Sequence, residues 1–116
     1  MRTLAIKKTR VMTLALASLV LSTTTMESQA QITIRGVSSC GQWISERDNV
    51  KLFVNQFWLL GFLSGVAYGI DKDFVKGTDN PSIFLWVDNY CRSNPLMYID
   101  DAGRALYIEL IKQKKL

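Results

Sequence analysis

The chain has 116 residues, 48% of them hydrophobic and 21% charged, with a formal charge of +4, two cysteines and no histidine. That length fits one small domain. Without histidine the commonest general base, the familiar Ser-His-Asp triads and most zinc and haem ligation are excluded.

Residues 1–30 carry the pattern of a cleaved secretory signal. Arg2, Lys7, Lys8 and Arg10 form a basic start, 11–21 is an apolar run, and 22–30 is polar and ends Ser28-Gln29-Ala30, with small residues at −3 and −1. An uncleaved anchor would need about 20 apolar residues, more than this run supplies. The expected mature chain is 31–116, exported to the periplasm or secreted further. Cleavage removes four basic residues and Glu27, which leaves ten basic against nine acidic side chains, a net of +1. A charge that small argues for neither nucleic acid nor an anionic membrane surface as partner.

A mature chain this short hides only about 60–65% of its unfolded surface, so a covalent staple is expected. Cys40 and Cys91 both lie in it, and exported cysteines usually pair. Closing a loop of about fifty residues is worth roughly 4 kcal/mol in the chain-entropy model. Two buried free thiols are the alternative.

From the N-terminal side, 31–38 (QITIRGV and Ser38) reads as an extended arm, followed by a helical domain over 39–116. Ser39 and Gln42 fit a capping box. The helix they open places Cys40, Trp43, Ile44 and Arg47 on one stripe, with Glu46 and Asp48 outward. Asp48 or Asn49 then caps a long helix. Its core, 52–70, holds nineteen residues without a charge between Lys51 and Asp71. A helix apolar all round is either packed on most of its circumference or in a membrane. Gly61, Gly65 and Gly69 recur at intervals of four beside Ser64. Each glycine in a helix costs about 1 kcal/mol relative to alanine, so the line implies close approach by another backbone. The reading is a central helix wrapped by the rest of the chain, in which Gly65→Leu would overpack and unfold the protein. A stable membrane span in the mature chain is the rejected rival. It would hold Asn55 and Gln56 near the hydrocarbon boundary and put Cys40 and Cys91 on opposite sides.

Beyond Ile70 the chain turns polar, DKDFVKGTDN. The spacing of Asp71, Asp73 and Asp79 misses a calcium loop, which needs a ligand near Val75 and glycine at the position of Lys76. A solvated connection with Phe74 tucked inward and Gly77 ending a turn fits better. Asn80-Pro81 reads as a cap and first helical residue. The helix 82–93 then sets Ile83, Phe84, Val87, Tyr90 and Cys91 on one face. Asn94-Pro95 repeats the signal for a last helix running to about Lys112, with Ile99, Ala102, Leu106 and Leu110 inward. Asp100 and Asp101 at its start and Lys112, Lys114 and Lys115 at its end match the helix dipole. The expected fold is all-α, a small four-helix bundle around a glycine-bearing central helix with one disulfide.

Catalytic chemistry has little to build on. Pairing consumes the thiols, and none of the six mature serines sits in a nucleophile elbow. Asp100 and Asp101 are explained by the dipole. No enzyme, metal or cofactor is expected. Leu85 and Trp86 fall off the core stripe, and either cover another helix or form an exposed apolar patch of the kind that marks partner sites.

Trp58-Leu-Leu-Gly61-Phe-Leu-Ser-Gly65-Val-Ala, then Val87-Asp-Asn-Tyr90-Cys91-Arg-Ser-Asn94-Pro95, then Ala102 with Ala105-Leu106, resemble the Rap/Tai family, small exported helical immunity proteins of type VI secretion systems. The plan is also similar to that of the HdeA-like periplasmic acid-stress chaperones. The first resemblance implies a non-catalytic protein that binds and blocks a cell-wall amidase effector. Asp71, Lys72, Asp73 and Lys76 are its candidate contacts, with Leu85 and Trp86 next in line, and homo-oligomers are compatible with it. The second implies acid-triggered exposure of apolar surface to many clients, as protonation leaves ten positive charges repelling one another. An unclassified envelope or host-interaction protein is the third reading.

Overall fold

The computed structural model describes residues 30–46 and 50–116. The signal-like segment up to Gln29, and Arg47, Asp48 and Asn49 with their expected roles, lie outside the described residues. Among the described residues four helices follow one another: α1 (Cys40–Ser45), α2 (Val50–Ile70), α3 (Asn80–Ser93) and α4 (Ile99–Lys114). Among the described residues no strand forms. A lone antiparallel bridge joins Ser39 to Tyr98, through Cys40 N–H to Met97 O and Ile99 N–H to Ser38 O.

The capping box forms as expected. Ser39 Oγ accepts from Gln42 N–H at 3.1 Å and Gln42 Oε1 accepts from Ser39 N–H at 3.1 Å. It starts a helix of only six residues, which is too short to stand alone and is held by what it buries, Cys40 and Trp43. The Cys40–Cys91 disulfide ties α1 to α3 across 51 residues of sequence, with Cα atoms 4.8 Å apart. Beside it the Trp43 indole N–H donates to Asp88 Oδ1 at 2.7 Å, and its ring lies 6.3 Å from Phe84. An indole N–H and a carboxylate, both otherwise costly to bury, are satisfied together.

Two helix boundaries differ from expectation. Asp79, not Asn80, caps α3, with Oδ1 accepting from Ser82 N–H at 2.8 Å and proline falling at the second position. Aspartate reaches the same amide as well as asparagine would. Asn94 ends α3 rather than starting α4: its backbone N–H and Nδ2 both donate to the Tyr90 carbonyl. Pro95 then lies in the turn, and α4 begins at Ile99, with Asp101 Oδ2 accepting from Tyr98 N–H at 3.2 Å.

The expected wrapping of α2 by the rest of the chain is not what forms: α4 packs on both α3 and α2, and α3 on both α1 and α4, whereas the main partner of α2 is α4. Ile99, Ala102, Leu106 and Leu110 are buried on α4 as the spacing predicts, and Gly103 with them. By contrast α2 is held along one side, through Leu59, Leu63 and Asn55. Asn55 is no liability there, because Ser38 Oγ donates to its Oδ1 at 2.7 Å and its Nδ2 donates to Glu46 Oε2 at 3.3 Å. Glu46 is accordingly half-buried rather than simply outward. Among the described residues, a Cβ built on Gly61, Gly65 or Gly69 meets nothing within 4 Å, so these three are not where α1, α3 or α4 comes close. That contact is made by Gly103, whose added Cβ would stand 2.9 Å from the Phe62 ring and 3.3 Å from Leu59.

The arm over residues 31–38 has no regular structure and is fastened at its end. Trp58 Nε1–H donates to the Arg35 carbonyl at 2.9 Å. Gly36 sits at φ +72° with the same indole 3.3 Å from where its Cβ would be, a position that suits glycine twice over.

Candidate functional site

The connection over residues 71–79 joins α2 to α3, and each end has a local cause. Asp71 takes the left-handed conformation, φ 54°, which lets Lys72 N–H reach back to Ala67 O at 3.0 Å and stops α2. Aspartate tolerates that conformation better than most residues. At the other end Gly77, φ +78°, turns the chain toward the Asp79 cap. The cap hydrogen bonds, first from the Ser82 side chain and then from its backbone N–H, hold the Asp79 carboxyl below its ordinary 3.8.

Two anchors fix the middle. Phe74 is completely buried, its ring 5.6 Å from Tyr107. Lys114, from the last turn of α4, donates through Nζ to Phe74 O at 2.6 Å, to Lys76 O at 2.5 Å and to Thr78 Oγ1 at 3.1 Å. An ammonium with three protons matches three acceptors. Asp73 Oδ1 also accepts from Lys76 N–H at 3.2 Å, so this side chain shapes the turn. The outcome is a rigid loop that turns Asp71, Lys72, Asp73 and Lys76 to solvent.

Between the loop and the last turns of α2 lies an open cleft of about 500 Å³, lined by Ser64, Ala67, Tyr68, Asp71, Lys72, Asp73 and Val75. Three of the four charged candidates thus meet around one depression, and Lys76 stands on the same loop outside its lining. Leu85 and Trp86 belong to α3 and do not line it. They also part company: Leu85 is exposed, whereas Trp86 is half-buried and stacked on Tyr90 with ring centres 5.7 Å apart. Among the described residues no cluster of His, Cys, Asp or Glu has the makings of a metal site.

Sequence reasoning missed two residues that matter here. Lys114 fits the helix dipole, and nothing in the local sequence signals bonds to two carbonyls and a hydroxyl 36–40 residues away. Tyr68, on the edge of the cleft, is 92% exposed, where a helix packed on most of its circumference would bury it. No family model, curated protein or solved structure matches the chain.

Proposed function

We propose that this is a small exported protein that acts by binding another protein through the 71–79 loop, in the manner of an immunity protein that blocks a cell-wall amidase effector. The observation that carries the reading is the loop's order: its backbone is fixed by Phe74 and Lys114 before any partner arrives. A preformed loop loses little conformational entropy on docking, and inhibitors that fill a partner's groove depend on that. The Cys40–Cys91 disulfide supports export, since such bonds persist in oxidising compartments. The amidase as target comes from the sequence resemblance alone.

The charged tips govern association rather than folding, because exposed charges contribute little to stability but steer and orient a complex. Calorimetry of the purified chain against a panel of peptidoglycan amidases tests the reading at neutral pH. One amidase should bind, and the double variant Lys72→Glu/Lys76→Glu should weaken that binding by about tenfold or more with an unchanged melting temperature. Asp71→Gly removes a carboxylate at a left-handed position where glycine is at ease, so binding should fall while stability holds or rises. No amidase bound at neutral pH, with many unrelated clients bound in acid, would replace this reading with the chaperone one.

A further inference from the structure

Along α2 the side facing away from α4 carries Val50, Val54, Phe57, Gly61, Ser64, Gly65 and Tyr68, a helical stripe with Phe53 at its edge, all of it exposed. Phe53 is 61%, Phe57 70% and Tyr68 92% accessible. At about 200 Å² for a full aromatic side chain, these three alone expose on the order of 450 Å². With Val50, Val54 and the open glycines, two such faces together pass the roughly 1,000 Å² that a specific interface needs. A contiguous apolar surface of this size implies a cover.

The stripe is divided by size. Its first half is large, Val50, Phe53, Val54 and Phe57; its second half is small, Gly61, Ser64 and Gly65, closed by Tyr68. Gly61, Ser64, Gly65 and Tyr68 stand at i, i+3, i+4 and i+7, the four corners of a hole that receives a knob from a facing helix. Open space over both glycines makes that hole deep. We infer that the cover is a second copy of this chain, paired antiparallel on α2 about a two-fold axis near Gly61, with Phe57 of each copy seated in the other's hole. Positions equally far from Gly61 come opposite each other, so Val54 meets Tyr68 and the large half of one copy always faces the small half of its mate. A two-fold interface requires such self-complementarity. Parallel pairing fails the same test, setting Phe57 against Phe57 and leaving the glycines facing a gap.

A bilayer is the other conceivable cover, because Phe53–Ile70 is long and apolar enough to cross one, with mean hydropathy 1.3 and only 17% of the window buried. Yet α4 is packed along α2 through Gly103, and a span would drag its Arg104 and Glu109 toward hydrocarbon at a cost of about 2.5–3.5 kcal/mol for each charge near the centre. A helix lying flat on a membrane is typically rimmed with lysine and arginine, and α2 has Lys51 alone in 21 residues.

The pairing stands whether or not the loop binds an amidase: Ser64 and Tyr68 of the hole also line the cleft, but Val50, Phe57, Gly61 and Gly65, the positions the test varies, do not, so the two claims fail separately. The full chain, purified under oxidising conditions, should sediment at twice the monomer mass. Phe57→Asp and Gly65→Phe should each raise the dimer dissociation constant by about 30-fold or more while keeping the helical circular-dichroism spectrum. Under mild oxidation Gly61→Cys should give a covalent dimer. Val50→Cys should not, since the two copies of that position stand about 33 Å apart along an antiparallel pair. A monomer at 100 μM, equal cross-linking at both positions, or a monomer that floats with phosphatidylglycerol vesicles would each overturn the inference.

Discussion

Two glycine positions on facing helices behave in opposite ways. At Gly103 of α4 the neighbouring helix is so close that a single added carbon would lie 2.9 Å from the Phe62 ring, which is itself stacked on Trp58 with ring centres 5.4 Å apart. At Gly65 of α2 the same carbon would touch nothing. Glycine spacing within one helix therefore shows where a backbone is able to be approached, not whether anything within the same chain approaches it. The inner side of α2 belongs to the fold, and the outer side is surplus to it.

The most damaging way to break the packed part of the fold is to release the covalent tie between α1 and α3. Cys40→Ser with Cys91→Ser should lower stability by about 2–5 kcal/mol, read from urea denaturation, because the loop closed by the bond is long. A stability loss under 1 kcal/mol would mean that packing alone holds α1 in place. Next in size is Trp43→Phe, which keeps an aromatic ring but removes the pyrrole portion of the indole with its donor 2.7 Å from buried Asp88. A hydrogen bond to a carboxylate is worth about 1.5–3 kcal/mol, and the loss should appear as a lower urea midpoint at unchanged slope.

A smaller effect lies at the Asp79 cap and is pH-dependent. Its carboxyl titrates lower folded than unfolded, so its contribution is complete above the ordinary value of 3.8 and disappears as pH falls through the depressed folded value. Asp79→Ala should lower the melting temperature at pH 7 and lower it by less at pH 2, because the charge that strengthens the cap is lost progressively as pH falls below 3.8. Equal differences at both pH values would assign the effect to something other than the ionised cap.

Much of the fold was legible because local physics fixes it. The Ser39–Gln42 box, the inward stripes of α3 and α4 and buried Phe74 follow from spacing, and the Cys40–Cys91 pair from the expectation that two cysteines in a small chain join. The Asn-Pro pairs were read a little too literally. Asn94 satisfies the end of one helix as readily as the start of the next, since its side chain has both donor and acceptor. Asp88 was legible in principle, being one residue from Val87 on the buried face, but a carboxylate there makes sense only once the indole of Trp43 stands opposite. The orientation of α2 was not legible at all. Its apolar residues circle the helix, so the pattern gives no preferred side, and only the fit of Phe62 and Leu59 against Gly103 selects one. For the candidate site, the charges of the loop were visible in the sequence, whereas the Lys114 clamp that orders them joins residues far apart in the chain.

The division of α2 into a packed side and an open side is tested most directly by placing leucine at both glycines. Unfolding by urea should be followed in a Phe57→Asp background, so that pairing between copies does not contribute. Gly103→Leu should cost about 3 kcal/mol or more, at or above the usual range for overpacking a core. Gly65→Leu should leave stability unchanged or raise it by up to about 1 kcal/mol, because a better helix former then replaces glycine in open space. A large loss at Gly65 with little change at Gly103 would contradict the account and turn α2 the other way round.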